Sequence, residues 1–287
     1  MANHNDDGGK IMRATGLLVI EAINSNPNGD PDRESDPRRR LDGRGEISPV
    51  SFKRKIRDLV ENKEGPVWDE IAKKFVPHLE PSKFDILESR DRQREEINRL
   101  SEEEFKERFW DGRVLGNTWL EKGGRFIKTG VAQFGMGVSL APILIERHTT
   151  TNPPVQEGKE GGMAPLAYRI VQHGAYCMPF FVNPTAATKS GCTKQDIKLL
   201  LKLIPYAYSH TASYVRPFVG IRHAWYMEHK SALGSCSDFA LIAALTPKKK
   251  AEPEKPSKSW DEYDVPQVLP GDLSSKVASV CDLMGQQ

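Results

Sequence analysis

GLLVIEAINSNPNGDPDRESDPRRRLDGRGEISPVSFKRKIRDLV, residues 16–60, decides how the chain folds. Taken with Ala14 and Thr15, the stretch to Ile23 is a run of Leu, Val, Ile and Ala that suits a strand buried on both faces. Residues 24–45 follow, with three prolines, three glycines and turn chemistry at Asn28-Gly29 and Asp42-Gly43. A loop this long inside a compact domain is a functional segment or a disordered one. Ser48 then offers an N-cap, and Pro49 suits the first helical position. Phe52, Ile56, Leu59 and Val60 fall on one helical stripe, with Lys53, Arg54 and Arg57 off it and Lys55 at another angle.

Working outward, residues 1–10 read as a flexible arm. Residues 66–76 and 86–111 read as helices, with Ser101 and Glu104 in a capping-box pattern. Glycine-punctuated β segments fill 113–146. Strand-like stretches at 138–146 and 166–182 flank a Pro/Gly-rich tip at 147–165, the pattern of a long hairpin. Thr193 and Asp196 open a second helix over about 194–210, and a loop leads to a strand at 222–229. Residues 247–259 read as a solvated linker and 272–284 as a short closing helix. The order strand, helix, strands, helix, strand is the split βαβ arrangement of a ferredoxin-like sheet, an α+β class, with 63–112 and 138–170 as additions.

Charge narrows the function. Hydrophobic residues make up 38% of the 287 and charged ones 28%, which fits a modest core with long polar excursions better than a compact enzyme. The net charge is +2, so attraction to nucleic acid has to come from local clustering. Such a cluster runs from Arg33 to Arg57: nine cations, Arg33, Arg38, Arg39, Arg40, Arg44, Lys53, Arg54, Lys55 and Arg57, against four carboxylates. Lys and Arg neutralise phosphates and release counterions, and the arginine fork grips a phosphate with two parallel bonds. The helix start at Ser48 adds free N–H groups for the same anion. Asn24, Asn26 and Asn28 offer short amides for ribose or bases. A basic cluster of this kind also describes a merely solvated helix face.

Asp30, Asp32 and Asp36 open a second reading, a divalent-metal site beside substrate phosphates, although turn-forming aspartates beside Pro and Gly have the same pattern. No HExxH, GxSxG, Walker A or dinucleotide fingerprint occurs. Trp225 and Tyr226 suit a sheet better than a base-stacking platform. Cys177, Cys192, Cys236 and Cys281 are too far apart for a CxxC motif, so four thiols in a reducing cytoplasm are expected. The polar start and the lack of a long apolar run predict a cytoplasmic protein without a membrane partner.

Several segments together resemble a known family. GLLVIEAINSNPNGDPDRESDPRRR followed by SPVSFKRKIRDLV looks like the opening of the Cas-seven family, the backbone subunit of type I CRISPR Cascade complexes, and is most similar to its subtype I-C branch. Further likeness lies in FWDGRVLG (109–116), VAQFGMGVSLAPILIER (131–147), YRIVQHGAYCMPFFVNP (168–184) and SYVRPFVGIRHAWYMEHKSALG (213–234). The resemblance implies a right-hand shape with a ferredoxin-like or RRM-like palm (11–62 and 113–246), helical fingers (63–112), a β-hairpin thumb (147–165) and a C-terminal extension (247–287). It implies a protein of antiviral defence that binds CRISPR RNA without catalysis, cofactor or metal. Copies would stack in a helical filament with other Cascade subunits and support pairing of the guide with target DNA. By motif, Asn24, Asn26, Asn28, Lys53, Arg54 and Arg57 would hold the guide backbone, with Arg38, Arg39 and Arg40 beside them and Met163 as an apolar wedge in the thumb. The guide, not the protein, would read sequence. Related type III subunits that cut target RNA with a loop aspartate keep the ribonuclease alternative open for Asp30, Asp32 and Asp36.

Overall fold

The structure is a computed structural model that describes residues 10–90, 94–117, 129–152 and 164–286. The N-terminal arm up to residue 9 and Met163 lie outside the described residues.

The chain begins with strand β1 (Ala14–Ser25), two short strands β2 (Gly29–Asp30) and β3 (Asp36–Pro37), and β4 (Arg44–Ile47). Helices α1 (Pro49–Glu61), α2 (Pro66–Ala72), α3 (Arg94–Asn98), α4 (Glu102–Arg108) and α5 (Trp110–Leu115) come next. Strands β5 (Ala132–Phe134), β6 (Gly137–Pro142), β7 (Ile145–Asn152) and β8 (Ala164–Val182) precede helices α6 (Pro184–Ser190) and α7 (Lys194–Leu203). The chain closes with β9 (Val219–His229), α8 (Asp238–Leu245), β10 (Lys248–Lys249), β11 (Tyr263–Asp264), α9 (Gly271–Ser274) and β12 (Val277–Asp282).

The main sheet runs β12-β9-β1-β8-β6-β4, with antiparallel pairing throughout. β1 sits in the middle, between β8 and β9. Its alternation shows why it reads as apolar on both faces. Leu18, Ile20 and Ala22 enter a large core with Phe52, Ile56 and Val60 of α1 and Leu199, Leu200 and Leu203 of α7. Leu17 and Val19 enter a second core with Trp225, Met227, Leu241 and Leu245, under α8. At Gly16 a Cβ would sit 2.1 Å from the Phe180 ring, so this strand tolerates no side chain where the aromatic of β8 crosses it.

β8 is 19 residues long and spans about 60 Å at roughly 3.3 Å per residue. Its second half pairs with β1, from Ser25↔Val171 to Ala14↔Val182, and also holds β6 and β5. Its first half leaves the main sheet and pairs with β7 alone, from Ile145↔Val171 out to Asn152↔Ala164. That two-stranded arm is the hairpin expected from the sequence, starting at Ile145 instead of residue 138, because 137–142 is taken up as a sheet strand. The helices between 66 and 115 pack on α1 and α7 and hold a small core of their own, Leu87, Ile97, Phe105 and Phe109.

Several expectations change. The helix expected over 86–111 is three short ones, because the Ser101 capping box and the extended backbone at Phe109 each start a new helix. α7 ends at Leu203 and tightens into a 3-10 turn at Ile204–Tyr206, where Pro205 lacks the N–H to continue. Residues 272–284 are an edge strand preceded by one helical turn; an open edge of β9 recruits the β-branched pair Val277 and Val280. The linker at 247–259 is ordered. Lys248–Lys249 pair with Tyr263–Asp264, and Ser257 is buried: it accepts from the Tyr263 hydroxyl at 2.8 Å and lies 2.7 Å from His173 Nδ1. His173 Nε2 in turn meets Glu21 at 3.0 Å. Among the described residues no helix is long and apolar enough to cross a membrane.

Candidate nucleic-acid interface

The cations of α1 mostly serve the fold. Arg57 is buried and donates to Asp111 at 2.8 Å; Asp111 is itself fully buried and also accepts from the backbone N–H groups of Leu87 and Glu88. This pair ties α1 to the helical segment at 85–111 and commits the Arg57 guanidinium to the interior. Arg54 binds Asp58 and Glu61 and donates to the carbonyl of Glu88 at 2.6 Å. Burial works against its charge, but those two carboxylates outweigh it and hold the guanidinium above its ordinary value. Lys53 reaches the carbonyl of Leu115 at 3.3 Å, and burial with Arg57 nearby pushes it below the ordinary lysine value. Lys55 is buried over the Tyr208 ring and donates to Thr211 at 3.1 Å. Burial, then Arg216, pushes it down to about 8. The helical stripe was legible, but the face behind it is covered by the 85–115 segment, which no periodicity in α1 reveals.

The asparagines also divide. Asn24 is exposed, with φ +44 at the exit of β1. Asn28 accepts from both the N–H and the hydroxyl of Ser48, at 2.9 and 2.8 Å, and so fastens the cap of α1 to the loop. Asn26 is buried and donates to the carbonyl of Ser35 at 2.7 Å. Arg39 and Arg40 are exposed, Arg40 beside Glu46 at 3.5 Å.

What these elements build together is a groove of about 760 Å³. One wall is the loop after β1, with Asn26, Asn28, Asp36, Arg38 and the helix start at Ser48. The opposite wall is the root of the β7–β8 arm, with Arg147, Tyr168 and Arg169; the turn before β9 closes it with Val215 and Arg216. Arg147 and Arg169 are direct cross-strand partners. Like charges so placed repel unless an anion lies between or beside them. Asp36 reaches across the groove to Arg169. Arg38, Arg147 and Arg216 make no side-chain ion pair or hydrogen bond among the described residues. At the rim Tyr168 meets Tyr214 edge-on with ring centroids 5.3 Å apart, and His148 lies 5.7 Å from Tyr168. Tyr214 is 64% exposed. Cations along a groove with aromatic faces at its edge suit the phosphates and bases of a single strand.

The family model of "CRISPR-associated protein Cas7" matches residues 12–267. The chain belongs to this Cas7 family. Three solved structures are similar at low identity. A chain of a "CRISPR RNA-guided surveillance complex" shares 14% identity at a TM-score of 0.41, over 73% of this chain and 68% of that one. A chain of a "CRISPR RNA-guided surveillance complex, pre-nicking" shares 14% at 0.47, over 75% and 77%. A chain of the "Type III-B Cmr-beta bound to cognate target RNA" shares 10% at 0.42, over 76% and 61%. No curated protein matches the chain.

In this Cas7-family chain, sequence reasoning put the candidate site in the 24–57 segment and found one wall of the groove, Asn26, Asn28 and Arg38. It missed Arg147, Tyr168, Arg169, Tyr214 and Arg216, each more than a hundred residues downstream. One signal was available: two arginines flanking the hairpin, one on each arm, that come opposite each other once the arms are paired.

Proposed function

We propose that the chain is a non-catalytic backbone subunit of a type I, subtype I-C-like CRISPR surveillance complex that holds guide RNA in the groove between the loop after β1 and the root of the β7–β8 arm. The carrying observation is that three uncommitted arginines from three distant segments, Arg38, Arg147 and Arg216, line one groove beside the Tyr168–Tyr214 pair.

The palm reading is supported by the central strand order β9-β1-β8-β6, the fourth, first, third and second strands of a split βαβ unit, with α1 and α7 on one face. The β7–β8 arm is the thumb of this reading, and residues 63–112 are its fingers. Stacking of copies is supported by apolar side chains exposed at opposite ends of β1: Phe218 beside Ile23, and Leu233 and Phe239 beside Thr15 and Asp238. The two ends lie about 30 Å apart at roughly 3.3 Å per strand residue. Unlike patches at two ends suit head-to-tail contacts, which extend as an open filament when the rotation between copies does not close a ring. The guide held this way would pair with target DNA, alongside other subunits of the complex.

The non-cutting branch is favoured by what the loop aspartates do. Asp30 caps a 3-10 turn, accepting from Asp32 N at 3.2 Å, and Asp36 is paired with Arg169. The test is RNA affinity against salt, with a steep negative slope expected. A flat slope overturns the reading. Incubating the assembled complex with Mg²⁺ and complementary RNA should leave that RNA intact, and regular cuts would point to the ribonuclease instead.

A further inference from the structure

Asn26 is 5% exposed, and its side-chain oxygen is buried without a hydrogen-bond partner among the described residues. The orientation of its amide is fixed: Nδ2 donates to the carbonyl of Ser35 at 2.7 Å, and turning the amide over would set two oxygens against each other. Oδ1 is therefore an acceptor that lacks a donor. On the stretch that pairs with Asn26, Arg216 Nε is a donor that lacks an acceptor among the described residues. The two residues belong to neighbouring stretches that are stitched together. Asn26 N donates to Val215 O at 2.7 Å, Phe218 N donates to Ser25 Oγ at 3.0 Å, and Arg216 is held in a tight turn by its own N–H to Ser213 O at 2.9 Å. Both residues line the groove.

Buried polar groups in native proteins are almost always paired, so an orphan acceptor and an orphan donor at one place call for a shared partner. That partner must both donate and accept. A phosphate oxygen accepts only and would leave Asn26 Oδ1 unmet. Along a sugar–phosphate backbone the group that does both is the ribose 2′-hydroxyl, which a deoxyribose strand lacks. We propose that Asn26 and Arg216 read a 2′-hydroxyl, its proton going to Asn26 Oδ1 and its oxygen accepting from Arg216 Nε–H, so that the groove selects a ribose strand over a deoxyribose strand. This rests on the RNA-binding reading above and adds the group that the site recognises.

The experiment compares binding of the full chain to single-stranded oligouridylate, to the same strand with deoxyuridine, and to the 2′-O-methyl strand, whose oxygen cannot donate. The expected result is a loss of about tenfold for both the deoxy and the 2′-O-methyl strands, the scale of one hydrogen bond to a buried group. Asn26→Ala should weaken the ribose strand more than the deoxy strand and so close most of the ratio between them. Arg216→Met should weaken both strands through its lost charge and also narrow their ratio. Because the strand modifications leave the protein untouched, they decide the matter even if Asn26→Ala fails to fold. Equal affinity for ribose and deoxyribose strands, a 2′-O-methyl strand that binds as well as the ribose strand, or full selectivity in Asn26→Ala overturns the inference while RNA binding stands. If no strand binds, the proposed function falls with it.

Discussion

Replacing Arg57 by alanine should unfold the protein more readily without touching its hold on RNA. Arg57 sits in the basic segment that the sequence marks for phosphate binding, yet its guanidinium is buried against Asp111, 2.8 Å away. Truncating Arg57 leaves that carboxylate fully buried with only the N–H groups of Leu87 and Glu88, at 2.7 and 3.2 Å. Removing one partner of a buried ion pair costs about 3–5 kcal/mol. Against a whole-domain stability of about 5–15 kcal/mol, this is a large fraction. For a chain of this size it corresponds to a drop in melting temperature of about 6–20 °C. The assay is thermal denaturation by circular dichroism beside RNA binding well below the transition. Adding Asp111→Asn to Arg57→Ala should recover part of the loss, since no unpaired charge then remains in the interior. An Arg57→Ala protein that melts like the parent and binds RNA much more weakly would refute the reasoning and return Arg57 to the guide path.

Arg38→Ala, Arg147→Ala and Arg216→Ala together should reduce the salt slope of RNA binding by about 2, at roughly 0.7 per phosphate contact on a single strand, with an unchanged melting temperature. Tyr168→Ala and Tyr214→Ala should each weaken RNA binding by about 1–3 kcal/mol if a base stacks on that ring, measured by fluorescence anisotropy. Lys55 gives a pH test. Its folded value is about 8 against an ordinary 10.5, so between these the folded protein has shed a proton that the unfolded chain still binds. Stability from this group therefore rises with pH across that window, by up to about 3 kcal/mol, and Lys55→Met should flatten the rise in chemical denaturation. Ser257→Ala removes the hydroxyl that joins His173 to Tyr263 and should speed limited proteolysis within 248–264 while the rest of the chain stays intact.

Strand β1 and helix α1 were readable because both are long and their apolar spacing is regular. The C-terminal strand was not, because six residues such as Val277–Asp282 carry little pattern and the open edge of β9 decides their conformation. The same holds for the segment at 247–259, whose charge suggests a solvated linker while its pairing with Tyr263–Asp264 and the buried Ser257 order it against the sheet. At the candidate site, the charge of the 33–57 segment was visible but not its division of labour. Arg57 and Lys55 differ from Arg38 only in what lies opposite them, and that depends on Asp111 and Thr211, far along the chain. Asn28 shows the reverse case. It stands in the motif expected to meet RNA, and its side chain is spent on capping the helix that follows.

The most direct test of the account is ultraviolet crosslinking of the chain bound to guide RNA, with the modified peptides identified by mass spectrometry. Crosslinks should map to Tyr168 and Tyr214, on the arm and the turn that frame the groove. Crosslinks confined to the α8 side of the sheet, with both tyrosines unmodified, would contradict it.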